Sequence, residues 1–268
     1  MHLADILASK TREVAELRGR ARVPSGAGRT GLDVIAALRR PAGRSLRLVA
    51  EVKLRSPSAG ALSRVLSPED RAAAYARGGA AMVSVLCDGP HFDGGWRHLA
   101  AARERLDAEG LATPLLAKEF VIDVRQVQEA RDRGADAVLL IVRIVDARVL
   151  AELAAAARVE AIEPLFEVVD EAELAVALDA GARVIGVNAR DLDTLAIDPA
   201  RAARVASLVP DGVVAMLLSG LREPADVARA AAGRADAALI GEALMREDDP
   251  GPLLRAMVAA AGGSAGRP

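Results

Sequence analysis

Aromatic side chains make up only 2% of this chain, and Cys87 is its single cysteine. No apolar stretch approaches the roughly 18 residues needed to cross a bilayer. Each shortage excludes something. Few rings means no stacking platform for single-stranded nucleic acid. One thiol rules out an internal disulfide framework and fits a reducing compartment. The start, Met1-His-Leu-Ala-Asp, lacks the basic-then-apolar order of a secretion signal. Charge of one sign is also missing: 35 basic and 37 acidic residues nearly cancel, leaving no footprint for a polyanion or an anionic membrane. These exclusions predict a cytoplasmic protein without nucleic-acid or membrane partners. A monomer is the default, because no long apolar surface stripe stands out.

What is present is apolar and periodic. The chain is 52% hydrophobic over 268 residues, enough to bury a full core in one domain. Short apolar runs predict strands near residues 47–53, 81–87, 114–118, 137–142, 161–168, 183–188, 213–218 and 237–240. Nearly every run is followed by an Ala- and charge-rich segment with helical spacing. Helix starts are marked by Ser67-Pro68-Glu69-Asp70, Asp123, Asp170, Asp198-Pro199 and Glu223-Pro224. Helix ends are marked by Gly in Arg77-Gly-Gly-Ala, Arg133-Gly134-Ala, Ala180-Gly181-Ala and Ala232-Gly233-Arg.

Eight strand–helix units in roughly 220 residues predict a (β/α)8 TIM barrel in the α/β class. A doubly wound sheet could use the same units. However, Ser56-Pro-Ser-Ala-Gly60 stands where a dinucleotide-binding turn would need Gly-x-Gly-x-x-Gly. The expected organisation is a single domain, with an N-terminal helical extension over 1–45, the barrel over 46–260 and a tail over 261–268. In the extension Leu3, Ile6, Val14 and Leu17 form a broken amphipathic stripe among Lys10, Arg12, Glu13 and Arg18.

Several strands end in residues that a buried strand should not tolerate. Leu48-Val-Ala-Glu51-Val-Lys53, Pro114-Leu-Leu-Ala-Lys118, Pro164-Leu-Phe-Glu167 and Val184-Ile-Gly-Val-Asn188 each carry charge or amide into an apolar run. Desolvating an unpaired charge costs several kcal/mol, so such groups persist where they are paired or working. Glu51 and Lys53, two apart, point to one side of their strand. With Lys118, Glu167 and Asn188 they would meet at the C-terminal mouth of a barrel, as material for acid–base chemistry. The plain alternative is a structural ring of salt bridges. Ser219-Gly220 after the seventh strand and Gly241-Glu242 after the eighth would expose backbone N–H groups suited to phosphate, with Lys53 as countercharge. His2, His91 and His98 have no metal-ligand spacing and are expected at the surface; Cys87 reads as a small core residue.

These segments resemble the indole-3-glycerol phosphate synthase family, from about Leu3 to the Met245–Arg255 region. Ala50-Glu-Val-Lys-Leu-Arg-Ser-Pro-Ser58, Val83-Ser-Val-Leu-Cys-Asp88 with His91-Phe-Asp-Gly94, and Ala117-Lys-Glu-Phe-Val-Ile-Asp123 carry the likeness. So do Gly134-Ala-Asp-Ala-Val-Leu-Leu-Ile141, Ile185-Gly-Val-Asn-Ala-Arg-Asp-Leu192 and Gly241-Glu-Ala-Leu-Met-Arg246. The resemblance implies ring closure, decarboxylation and dehydration of 1-(2-carboxyphenylamino)-1-deoxyribulose 5-phosphate, with no metal or cofactor. It implies Lys118 as general acid, Glu167 and Glu51 as carboxylates serving the cationic intermediate, and Lys53 at the phosphate. It further implies Asn188, Arg190 and Ser56 as substrate-positioning residues, and Ser219, Gly220, Gly241 and Glu242 as the phosphate rim. Phe92, Phe120, Leu165 and Leu195 would be the apolar wall around the anthranilate ring.

The departures are Leu218 for the family's usual Glu before Ser-Gly, Ala117 for an Arg, and Ala189 for Asn or Ser. Leu218 removes a carboxylate from the substrate-binding mouth. It therefore leaves one alternative open, a weakened barrel that binds a phosphate ligand; separately, a second is a sugar-phosphate isomerase resembling phosphoribosylanthranilate isomerase. The second would need Cys87 to work as a catalytic thiol.

Overall fold

The eight apolar runs are eight strands: β1 (Arg47–Val52), β2 (Met82–Leu86), β3 (Leu115–Lys118), β4 (Ala137–Ile141), β5 (Glu163–Val168), β6 (Val184–Val187), β7 (Val214–Leu217) and β8 (Ala237–Ile240). The computed structural model describes residues 3–22, 30–56, 60–191 and 196–262. In it each strand pairs in parallel with its sequence neighbours, and β1 pairs with both β2 and β8, so the sheet closes into a barrel. Both faces of such strands are covered, which is why they read as continuous Val/Leu/Ala runs.

Helices α1 (Leu3–Arg18) and α2 (Val34–Leu38) precede the barrel. Around it run α3 (Pro68–Arg77), α4 (Gly89–Phe92), α5 (Trp96–Ala108), α6 (Val124–Asp132), α7 (Ala147–Val159) and α8 (Glu171–Asp179). The ring is completed by α9 (Pro199–Ser207), α10 (Pro224–Ala231), α11 (Glu242–Met245) and α12 (Gly251–Ala261). The expected caps are in place: Ser67, Asp123, Asp170, Asp198 and Glu223 each occupy the N-cap of their helix. Gly134 and Gly181 take φ of +86° and +77°, the left-handed turn that a side chain would resist. Gly233 also stands just past its helix, after the C-cap Ala232, without that conformation. A two-residue antiparallel pairing of Arg55–Ser56 with Gly60–Ala61 follows β1; its strands are too short to leave a periodic signal.

Inside the barrel, the period of two stacks side chains in layers. Val49, Met82, Leu116, Leu139, Leu165, Met216 and Leu239 form the apolar middle, all but closed to solvent. Two residues on along each strand lies the layer at the C-terminal mouth: Glu51, Ser84, Lys118, Ile141, Glu167, Leu218 and Gly241, joined by Asn188 two beyond Gly186. The opposite end is stitched by two aspartates a hundred positions apart. Asp136 Oδ2 accepts from Leu115 N and its Oδ1 from Leu32 N, each at 2.9 Å. Asp236 Oδ2 accepts from Ala215 N at 2.9 Å and its Oδ1 from Arg40 N at 3.2 Å.

Candidate active site

Three strand ends bring the mouth's ionisable groups together, and a fourth adds the amide of Asn188. Lys53 Nζ stands 2.7 Å from Glu51 Oε1, and Lys118 Nζ stands 3.5 Å from Glu167 Oε2. Asn188 Nδ2 donates to Glu167 Oε1 at 2.9 Å, while its Oδ1 accepts from Ser219 Oγ at 2.7 Å and Arg190 N at 3.0 Å. This fixes the amide's orientation and ties β5, β6 and the loop after β7 into one chain of bonds. Glu51 and Glu167 are almost wholly buried, whereas both lysines keep an edge open to the mouth.

Burial would raise the Glu51 carboxyl, but Lys53 and Lys118 outweigh it and hold the group below the usual carboxylate range. Burial would lower Lys118, but Glu167 and Glu51 outweigh it and keep the ammonium protonated beyond its ordinary range. The site therefore offers a positively charged proton donor beside an ionised carboxylate, within an enclosed space. A side chain at Gly241 would put its Cβ 2.7 Å from Glu51 Oε1 and 3.1 Å from Lys53 Nζ. Glycine there lets the β8 loop close on the pair.

These groups line a cavity of about 390 Å³ at the mouth. Ser56, Arg190, Ser219, Gly220, Gly241 and Glu242 stand on its rim, and Phe92, Phe120 and Leu218 on its wall. The Phe92 and Phe120 rings are stacked with centroids 6.1 Å apart. One expected wall residue is misplaced: Leu165 lies two residues below Glu167, fully buried in the middle layer and out of the cavity. Period-two alternation already put it one layer too deep. Leu195 lies outside the described residues.

Sequence reading missed Leu3 and Ile6, which α1 brings to the cavity wall, and Ile141 and Leu86 from the strand ends. The strand-end pair could have been found by alternation; the helix pair had no local signal for where α1 would dock. His91 and His98 are half-buried rather than at the surface, His91 Nε2 lying 3.2 Å from Ser9 Oγ; His2 lies outside the described residues. Among the described residues no group of three His, Cys, Asp or Glu side chains could hold a metal ion. Cys87 is buried, its thiol pushed well up by burial and by Glu119, and it does not reach the cavity.

A profile of the family "Indole-3-glycerol phosphate synthase" matches residues 3–257. The chain is 43% identical over 228 residues to an indole-3-glycerol phosphate synthase of Parafrankia sp., covering 85% of this chain and 82% of that one. It is 42% identical over 232 residues to indole-3-glycerol phosphate synthase 1 of Streptomyces coelicolor, covering 87% and 83%. The chain belongs to the indole-3-glycerol phosphate synthase family. As a member it is a decarboxylating carbon–carbon lyase of tryptophan biosynthesis.

Solved structures show the same fold at low identity. A 3-hexulose-6-phosphate synthase aligns with TM-score 0.64 at 15% identity, covering 80% of this chain and 99% of that one. A thiamine phosphate pyrophosphorylase from Pyrococcus furiosus aligns with TM-score 0.61 at 14% identity, covering 82% and 98%. Within the synthase frame, Leu218 is accommodated by apolar packing. Its Cδ1 lies 2.7 Å from where a Cβ on Gly186 would be, and Leu165 Cδ2 lies 2.9 Å from that same point. The side chain is seated on the barrel's apolar layer. Ala117 and Ala189 are buried as well, so an arginine or a polar residue in the same surroundings would need a hydrogen-bonding partner there.

Proposed function

We propose that the mouth cavity converts 1-(2-carboxyphenylamino)-1-deoxyribulose 5-phosphate to indole-3-glycerol phosphate with Lys118 as general acid. As the anthranilate ring carbon attacks the ketone, Lys118 delivers a proton to the ketone oxygen, and a new carbon–carbon bond closes the five-membered ring. The carboxylate leaves as carbon dioxide, returning the bond's electrons to the ring. Loss of the hydroxyl as water, with a proton passing to a carboxylate, completes the indole. Glu167 and Glu51 oppose the positive charge that develops on nitrogen. Lys53, Ser219, Gly220, Gly241 and Glu242 surround the phosphate end, while Asn188, Arg190 and Ser56 hold the substrate's middle. Phe92, Phe120 and Leu218 pack against its ring.

The observation that carries this reading is the protonated Lys118 held 3.5 Å from Glu167 in the lining of the cavity. Purified protein given the ribulose phosphate should develop indole fluorescence. No signal above a blank at micromolar enzyme would defeat the assignment. The buried, mouth-excluded Cys87 tells against the isomerase reading. A cytoplasmic, single-domain monomer is the form in which we place this activity. Support comes from the near-neutral charge and from the scatter of Val65, Val159, Ile197 and Leu208, the exposed large apolar side chains among the described residues. Light scattering on a sizing column would test the oligomeric state.

A further inference from the structure

Lys10 carries its ammonium into the interior, against the habit of lysine. Three carboxylates meet it: Glu13 Oε2 at 2.7 Å, Asp88 Oδ1 at 2.8 Å and Glu119 Oε1 at 3.1 Å. An ammonium has three N–H donors, so each carboxylate can take one. Replacing such a cluster by apolar groups is often harmless to stability, so its better-attested use is to fix one arrangement of the parts it joins.

The parts joined are three pieces of the cavity's apolar side. Lys10 shares α1 with Leu3 and Ile6, which line the cavity. Asp88 is the N-cap of α4, accepting from His91 N at 2.9 Å, and α4 ends in Phe92. Glu119 sits between Lys118 and Phe120 and accepts from Phe120 N at 2.7 Å. One cation therefore ties together the two segments that carry the stacked rings and the helix that brings Leu3 and Ile6 to the cavity.

We infer that Lys10 is a positioning residue for the ring-bearing half of the substrate: through Asp88 and Glu119 it sets the Phe92–Phe120 gap, and through α1 it seats Leu3 and Ile6 over that gap. This rests on the synthase reading of the mouth. The charge count agrees. Asp88 and Glu119 are both closed to solvent, while Glu13 is part-exposed. Burial pushes the Glu119 carboxyl up, Lys10 draws it down and Asp88 pushes it up again, leaving it at about 7. The groups facing it are Lys10 from α1, which also pairs with Glu13, and Asp88 with the neutral Cys87 thiol after β2. A cluster this short of positive charge depends on its one lysine.

Asp88→Asn is the decisive variant. Asn caps a helix as well as Asp does, so α4 keeps its cap while the charged tie to Lys10 is lost. With product fluorescence read above pH 7, where Glu119 is mostly ionised, D88N should raise KM about fivefold or more and leave kcat within about threefold. Lys10→Met should raise KM in the same way and speed hydrogen exchange along α1. Should K10M fail to fold, D88N decides alone. A folded D88N with KM within about twofold of the parent, or with its loss in kcat alone, overturns the inference. A parent without turnover defeats the synthase reading instead, so the two failures are distinguishable.

Discussion

At the scale of single residues, the mouth was legible because charge inside an apolar run is an anomaly with a cause. Glu51, Lys118, Glu167 and Asn188 all broke strand patterns, and the barrel brings all four to one cavity. Lys118→Met should lower kcat by roughly two to four orders of magnitude, the range for a lost general acid. An unchanged rate would move that role elsewhere. Gly241→Ala tests the closeness of the β8 loop. Its Cβ would crowd Glu51 Oε1 and Lys53 Nζ, the movable ends of side chains, so kcat/KM should fall while the urea midpoint stays nearly fixed. Gly186→Ala is the opposite case: Leu218 and Leu165 are packed in the core, and overpacking should cost about 1–3 kcal/mol in urea unfolding. What stayed hidden were pairings across long sequence distance, such as Lys10 with Asp88 and Glu119.

Among elements, strands and caps were readable since their signals are local. All eight strands fall on the expected runs because an Ala/Val/Leu run closed by Gly and Asp punctuation has few other solutions. Helix α1 was read less well. Leu3, Ile6, Lys10 and Val14 follow the spacing of one face, yet Lys10 was placed with the polar residues because lysine is rarely buried. The break in the stripe was itself the sign of a buried ion. Asp123 joins two elements: it caps α6 through Arg125 N at 2.8 Å, forms a capping box with Gln126, and pairs with Arg18 at the end of α1. Asp123→Ala should destabilise by about 1–2 kcal/mol in denaturant unfolding, and Asp123→Asn by less, since the amide still caps. Equal losses would assign the effect to the Arg18 pair.

Over the whole molecule, opposing carboxylates shape the response to pH. Glu119 titrates near 7 when folded against an ordinary 4.5. Between those values the unfolded chain gives up a proton that the folded chain keeps, so this group makes stability fall as pH rises, levelling off above about 7. Glu163 and Glu173, raised chiefly by burial, act in the same direction. Glu51 acts oppositely: its pKa is lowered, so its contribution is present above the ordinary carboxylate range and is lost as acid protonates it. Urea titrations across this range should show the decline, and Glu119→Gln should flatten it. A parent and variant with the same slope would remove Glu119 as its source.

The described parts of the N-terminal segment touch both ends of the barrel. Leu3 and Ile6 stand at the mouth, Arg22 pairs with Asp132 and Glu160 at 2.9 and 2.7 Å where α6 and α7 end, and Leu32 N reaches Asp136 at the floor. Ala261 closes the chain's last helix at that same floor, its carbonyl accepting from Leu46 N at 3.1 Å. Leu3 and Ala261 thus lie at opposite ends of the barrel. An affinity tag or a fused enzyme joined behind Ala261 leaves the substrate's doorway clear, whereas the same cargo grafted ahead of Leu3 stands in it.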